Sequence, residues 1–262
     1  MPTVAAISPN IVFGDIEHNL DSIVTAAVEA AQQGAELIVA PELASSGYVF
    51  TDASEAHGLA LRSDDGLLRD LERRLPPQAV TVLGYTEQDG DLLHNTAAVI
   101  QGGRRLADYR KSHLWDREKL VFTPGDRAGL VVGTARFRLG VAICYDNEFP
   151  EVPRGLALAG AAILALPVNW PLVPRPLHEH APETIQAMAA ARSSRMPIVI
   201  SDRHGVEREV PWTGGSAVID ADGWIAAERP DGISLAKVEL FPNDKSIGAY
   251  NDVFTDRRPG LY

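Results

Sequence analysis

The chain has 262 residues, 45% of them hydrophobic, a formal net charge of -11 and a single cysteine. That length admits one α/β domain with a large core, and the acidic balance argues against broad nucleic-acid or anionic-membrane binding. One cysteine excludes an internal disulfide and fits a reducing cytoplasm; with no apolar run long enough to span a bilayer and no secretory leader expected from MPTVAAISPN, the chain reads as cytoplasmic.

In chain order, Thr3–Ser8 predicts a short apolar strand. Asp15–Gln33 predicts a helix, with Ile16, Leu20, Ile23, Val24, Ala27, Val28 and Ala31 on one face, Asp15 as N-cap and Gly34 as stop. Glu36–Ala40 predicts a second buried strand, so the chain opens with a β–α–β unit and parallel pairing. Asp64–Leu75 predicts another amphipathic helix through Leu67, Leu68, Leu71 and Leu75, followed by a strand at Ala79–Tyr85. Asn95–Ile100 and Arg105–Arg110 predict a hairpin around Gly102-Gly103; Leu130–Val132 and Phe137–Ile143 predict another pair.

A helix over Val152–Ala162 and a strand over Ala161–Leu166 come next, then a helix over Ala181–Ser194 with Pro182 in its first turn. Pro197–Ser201, Ser216–Ile219 and Ser234–Val238 predict strands, and Pro242–Tyr262 reads as polar and irregular. No linker, repeat or low-complexity segment interrupts the pattern, so one domain over 1–262 is expected, with mixed sheets inside and helices outside.

Cys144 sits where the strand Phe137–Ile143 gives way to the acidic start of a helix. Such a turn exposes a side chain at a sheet edge beside unpaired N–H groups, which suits a nucleophile; a free cysteine also serves as a small buried hydrophobe. A nucleophilic thiol needs a base and a group to hold an oxyanion. None of the seven histidines lies in a stretch that pairs it with Cys144, and His113 is read as structural. No His-Glu-x-x-His and no Cys/His ligand set occurs, so no metal is expected. Glu42 follows Glu36–Ala40 and Lys111 ends another strand, so thiol, carboxylate and ammonium lie at three strand ends that a sheet can converge on one pocket.

Three separated stretches carry a resemblance. Val39-Ala-Pro-Glu42 precedes Gly47-Tyr48; Tyr109-Arg-Lys111-Ser-His-Leu-Trp-Asp-Arg-Glu118 leads into Phe122-Thr-Pro-Gly125; and Gly140-Val-Ala-Ile-Cys144-Tyr-Asp-Asn-Glu-Phe-Pro-Glu151 holds the thiol. In order and spacing they are similar to the Glu, Lys and Cys signatures of the nitrilase superfamily of carbon–nitrogen hydrolases. The likeness continues through Pro167-Val-Asn169-Trp170, Gly214-Gly-Ser216 with Asp222-Gly223, and Asn251–Arg258. It implies a four-layer α–β–β–α sandwich and pairing into a homodimer or higher homo-oligomer. The tail 243–262 is then expected on a partner subunit, anchored by Phe254 and Tyr262.

The resemblance also implies roles. Cys144 attacks the substrate's carbonyl carbon; Glu42 takes the thiol proton and passes it to the leaving amine; Lys111 and the backbone N–H of Tyr145 hold the oxyanion. Glu118 matches a second glutamate that orients the amide and the lysine. Tyr48, Trp115, Asn169 and Trp170 flank the signatures as candidate pocket residues, and no cofactor is implied. The run Cys-Tyr-Asp-x-x-Phe-Pro-Glu resembles the amidase and carbamoylase branches, whereas nitrilases more often carry Cys-Trp-Glu. A small carboxamide is therefore the expected substrate, with a nitrile as runner-up. An N-carbamoyl amino acid, its carboxylate held by Arg175, Arg192 or Arg195, is a third reading, and a non-catalytic scaffold relative a remote fourth. Ser201-Asp-Arg-His204 and Trp212-Thr-Gly-Gly depart from the usual pattern, which leaves the far wall of the pocket open.

Overall fold

The alternation Val4-Ala5-Ala6-Ile7 sets the plan of the molecule. Val4 and Ala6 join an apolar layer between two sheets, while Ala5 and Ile7 pack under helices on the opposite face. A strand buried on both faces needs such an unbroken apolar run. The computed structural model describes residues 1–261.

The first sheet contains β1 (Thr3–Ile7), β2 (Leu37–Val39), β3 (Leu61–Arg62), β4 (Val80–Asp89), β5 (Leu92–Gln101) and β6 (Arg104–Arg110). The second contains β7 (Leu130–Gly133), β8 (Arg138–Val141), β9 (Ile163–Pro167) and β10 (Ile198–Ser201). A small hairpin, β11 (Val206–Glu207) and β12 (Val210–Pro211), stands apart. β13 (Ala217–Ile219) and β14 (Ile225–Glu228) complete the second sheet, and β15 (Ile233–Lys237) returns to the first. In order, the first sheet runs β15-β1-β2-β4-β5-β6, with β3 against β4, and the second runs β14-β13-β10-β9-β8-β7.

β1 pairs parallel with β2 (Val4 with Leu37), as the β–α–β opening predicts, and β8, β9 and β10 are likewise parallel; the outer pairs are antiparallel. Both sheets are therefore mixed. The helices α1 (Ile16–Gln32) and α3 (Gly66–Arg74) cover the first sheet through Leu20, Ile23, Leu68 and Leu71. A short α2 (Ala53–Gly58) lies between them in sequence. The helices α4 (Glu151–Leu158) and α5 (Pro182–Ser194) cover the second sheet through Val152, Leu156, Ala187 and Ala191. The result is the expected α–β–β–α sandwich. No helix among the described residues is long and apolar enough to cross a membrane.

Local chemistry explains the boundaries. Asp15 caps α1 by accepting from the His18 N–H, and Gly34 takes a φ of 92° just beyond its end. Leu67, expected on the inner face of α3, is instead 37% exposed, because the helix starts at Gly66 under an Asp65 cap and turns Leu68, Leu71 and the following Leu75 inward. The tail forms a hairpin, β16 (Ser246–Gly248) and β17 (Asn251–Asp252), and Phe254 packs against the chain's own core with Arg154 4.3 Å above its ring. Tyr262, the other expected anchor, lies outside the described residues.

The sandwich brings the carboxyl ends of β2, β8 and β9 to one place. The loops beyond them are tied across the two sheets: Glu42 N–H donates to Val168 O at 3.4 Å, and Asn169 Nδ2 donates to Glu42 O at 2.8 Å. Gly84 on β4 lets that loop lie close, since a Cβ there would fall 2.5 Å from Leu43 N and 2.6 Å from Glu42 Cα. Gly84→Ala is expected to cost roughly 1–3 kcal/mol of stability, the usual penalty for overpacking. A urea denaturation midpoint unchanged from wild type would contradict this placement.

Candidate active site

Glu42, Lys111 and Glu118 form a buried charge cluster. Lys111 Nζ donates to Glu42 Oε1 at 2.7 Å and to Glu118 Oε1 at 2.8 Å. The side chains of Lys111 and Glu42 are fully buried and that of Glu118 is 4% exposed. The sequence delivers them from separate elements: Glu42 from the loop after β2, Lys111 from the residue after β6, and Glu118 from the 3-10 turn Asp116–Leu120. The β5–β6 ladder sets Lys111 beside Asn95, whose backbone carbonyl accepts its N–H at 2.8 Å.

Asn95, which the sequence motifs did not single out, donates through Nδ2 to Glu42 Oε1 at 2.7 Å. Tyr48 OH donates to Glu118 Oε1 at 2.7 Å, and the Trp115 N–H to Glu118 Oε2 at 2.9 Å. Glu42 Oε1 thus has two donors, while Glu42 Oε2 is buried with no hydrogen-bond partner among the described residues. Lys111 keeps its third ammonium N–H beyond the two directed at carboxylates.

Protonation follows from this packing. Burial raises the Glu42 carboxyl from 4.5 to about 7; the Lys111 charge opposes the rise and Glu118 adds to it. Burial works against the charge on Lys111, but Glu118 and Glu42 outweigh it and hold the ammonium well above the ordinary lysine value. Burial, then the Glu42 charge, pushes the Cys144 thiol well above its usual range, with Lys111 pulling the other way. A thiol kept neutral next to a carboxyl poised near neutrality is a proton donor–acceptor pair.

Cys144 opens the 3-10 turn Cys144–Glu148 with a left-handed φ of 48°, three residues beyond the end of β8. Leu43, next to Glu42, and Asp116, next to Trp115, share that conformation at 46° and 43°. Non-glycine residues rarely hold it, and it concentrates at functional sites. What holds the Cys144 turn is Asp146, a residue sequence reasoning passed over. Its fully buried carboxylate accepts from Ile143 N–H at 2.9 Å, Tyr109 OH at 2.7 Å, Ser112 Oγ at 3.1 Å and His113 N–H at 3.0 Å. His113 Nδ1 also lies 2.7 Å from Asp146 Oδ1, and its ring stacks on Phe149, so this histidine belongs to the scaffold of the turn. Tyr145 is the second residue of that turn, where its N–H has no carbonyl acceptor inside the turn.

A cavity of about 210 Å³ contains Cys144, Tyr145, Asn169, Trp170 and Trp115. Trp170 is held there because its N–H donates to Asp202 Oδ1 at 3.0 Å. Asp202 is fully buried and also accepts from Arg203 N–H at 2.8 Å and Gly215 N–H at 2.7 Å; burial still raises its carboxyl to about 7. Across Trp115 and Pro171 lies a second, mostly apolar cavity of about 220 Å³, with Tyr48, Phe50, Phe122 and Trp212 in its walls. The departing segment therefore builds the far wall. Arg203 ion-pairs with Glu207 in the interior, and Glu207 Oε1 in turn accepts from Tyr48 N–H at 2.9 Å and Val49 N–H at 2.6 Å.

The structure thus brings all nine residues singled out for the site into one region. It does not bring the arginines there: Arg192 and Arg195 both pair with Asp222, and Arg175 borders a different cavity with His178 and His180. No group of three or more His, Cys, Asp or Glu side chains among the described residues is placed to hold a metal.

Asp146→Ala leaves four donors without this acceptor, two of them in buried bonds, and is expected to lower stability by about 2–4 kcal/mol, with Asp146→Asn retaining part of it. Equal urea midpoints for wild type and Asp146→Ala would show that the turn does not depend on this carboxylate.

Residues 3–241 match the carbon–nitrogen hydrolase family model. The chain is 35% identical over 244 residues to a nitrilase of Pyrococcus abyssi, covering 89% of this chain and 88% of that one. It is 31% identical to an N-carbamoylputrescine amidase of Arabidopsis thaliana, covering 95% of this chain and 90% of the other. Its backbone is similar to that of a Nesterenkonia AN1 amidase from the nitrilase superfamily, with a TM-score of 0.81, 26% identity, and 99% and 95% of the two chains covered. Another structure of that amidase carries acrylamide added to the active-site cysteine. On these matches and this fold, the chain belongs to the carbon–nitrogen hydrolase family of the nitrilase superfamily.

Proposed function

We propose that the chain hydrolyses the amide of a small aliphatic carboxamide to carboxylic acid and ammonia, with Cys144, Glu42 and Lys111 as catalytic residues. The observation that carries this reading is the division of labour on Glu42. One carboxylate oxygen is pinned by Lys111 and Asn95; the other is buried and unpartnered, and the charge of the group acts on the Cys144 thiol. A free oxygen on a carboxyl titrating near neutrality is what a general base requires.

The steps follow from that geometry. Cys144 Sγ bonds to the carbonyl carbon as its proton passes to Glu42. The oxyanion is met by the third N–H of Lys111 and by the Tyr145 backbone N–H. Glu42 returns the proton to the amide nitrogen, the C–N bond breaks and ammonia leaves a thioester. Glu42 then takes a proton from water, the hydroxyl adds to the thioester carbon, and the carbon–sulfur bond breaks to regenerate the thiol. Glu118 orients Lys111 and the amide, held in place by Tyr48 OH and the Trp115 N–H. Asn169 and Trp170 wall the acyl side of the cavity.

Placement of the arginines away from the Cys144 cavity weighs against an N-carbamoyl amino acid, whose carboxylate would need a cation there. Nitrile hydrolysis is the second reading, favoured by the likeness to the Pyrococcus nitrilase and opposed by tyrosine rather than tryptophan after the nucleophile.

Ammonia release from acetamide, propionamide and butyramide, compared with the matching nitriles, tests the choice. Turnover of the nitriles without the amides would overturn it. Cys144→Ala is expected to lose activity by about 10³-fold or more. For the wild type, kcat/KM should rise with pH through about 7 as Glu42 gives up its proton and becomes able to accept one from the thiol. A profile flat from pH 5 to 8, as estimated for a base with an ordinary carboxylate value of about 4.3, would show that burial does not raise the Glu42 carboxyl; a Glu42→Gln variant as active as wild type would rule Glu42 out as the base.

A further inference from the structure

The Cys144 cavity carries two acidic side chains that the proposed hydrolysis does not use. Glu148, an exposed residue, ends the 3-10 turn that begins at Cys144, and Glu183, half-buried, stands in the first turn of α5; both line the cavity. No Lys, Arg or His lines this cavity, and neither carboxylate has a hydrogen-bond or ion-pair partner among the described residues. Burial and the charge of Glu183 push the Glu148 carboxyl above its ordinary value, which reports that the two lie within each other's field.

Two orphaned acceptors strengthen the point. Glu183 Oε2 is shielded from solvent with nothing donating to it, and so is Oδ1 of Asn169, a side chain 1% exposed that lines the cavity. A buried carboxylate oxygen without a donor costs free energy that a bound donor restores. The helix N-terminus favours an acidic residue at position 183 but leaves Oε2 without a hydrogen. The chain's charge of -11 draws cations to it in general, and an acidic cleft focuses that field.

We propose that the preferred substrate is an amide bearing a cationic group, a primary ammonium, at the end remote from the scissile bond. The ammonium sits against Glu148 and Glu183, and the carbonyl faces Cys144. This deepens the amidase reading and rests on it. It also reverses the charge preference expected of an N-carbamoyl amino-acid hydrolase.

The test compares kcat/KM for three amides of similar length: γ-aminobutyramide, valeramide, in which a methyl replaces the ammonium, and succinamate, which ends in a carboxylate. At low salt the ammonium compound should exceed valeramide by about tenfold or more, with succinamate poorest, and the advantage should shrink in about 0.5 M NaCl. In Glu183→Gln and in the Glu148→Gln/Glu183→Gln double variant the ratio of ammonium to methyl substrate should fall towards one. Calorimetric binding of the same compounds to Cys144→Ala gives the ratio without turnover, and it stands if the double variant does not fold. Valeramide turned over as well as γ-aminobutyramide would overturn this inference and leave the amidase reading intact. A preference that persists in a folded double variant would also overturn it. No ammonia from any of the three amides, with nitriles hydrolysed, would remove both.

Discussion

One ammonium shared by two carboxylates, out of reach of water, governs the rest of this molecule. Taking three ionisable groups from solvent is expensive, and their mutual attraction offsets the cost only when geometry and further hydrogen bonds are good. Lys111 supplies the geometry by donating to Glu42 and Glu118, and Asn95, Tyr48 and the Trp115 N–H supply the further bonds. Burial, opposed by Lys111 and reinforced by the second acid, Glu118, lifts the Glu42 carboxyl to about 7. The cluster is thus a demand on the fold and, in the proposed reaction, the source of its chemistry.

Two sheets meet that demand where one would not. Glu42, Asn95 and Lys111 come from the first sheet, Cys144 and Asn169 from the second. The ladders end a few residues short of Glu42 and Cys144, so the thiol and this carboxyl are set by the packing of one sheet on the other and by the hydrogen bonds that tie the loops beyond the strands. The left-handed residues Leu43, Asp116 and Cys144 mark where the chain bends to make the ends meet. That strain is borne locally by Asp146 and by the bonds between Glu42 and residues 168 and 169.

Much of this was legible in the sequence, for identifiable reasons. Apolar runs gave β1, β2, β8 and β9, and the Asp15 cap and Gly34 stop bracketed α1, because those signals are local. The strand β14 (Ile-Ala-Ala-Glu) and the helix α2 were not anticipated, since their apolar content is slight and their place depends on neighbours. β4 and β5 extend beyond the expected Tyr85 and Asn95 because each supplies the other's hydrogen bonds over Thr86–Asp89 and Leu92–His94. At the site, acid, lysine and cysteine were visible as motifs. Asn95 was not, because an asparagine inside a strand has no signature; its role arises only when β5 and β6 align. Asp146 lay in plain sight within the Cys144 motif, read as helix-start charge, yet its partners Tyr109, Ser112 and His113 come from a distant segment.

The crosslink between Glu42 and Asn169 has a bearing on how this protein fails. Glu42 and Cys144, the base and nucleophile of the proposed reaction, straddle the seam between the two halves of the sandwich, so neither half can loosen without separating them. On the proposed mechanism, activity then reports whether the two layers remain joined, since parting them separates the carboxyl from the thiol before either sheet need unfold.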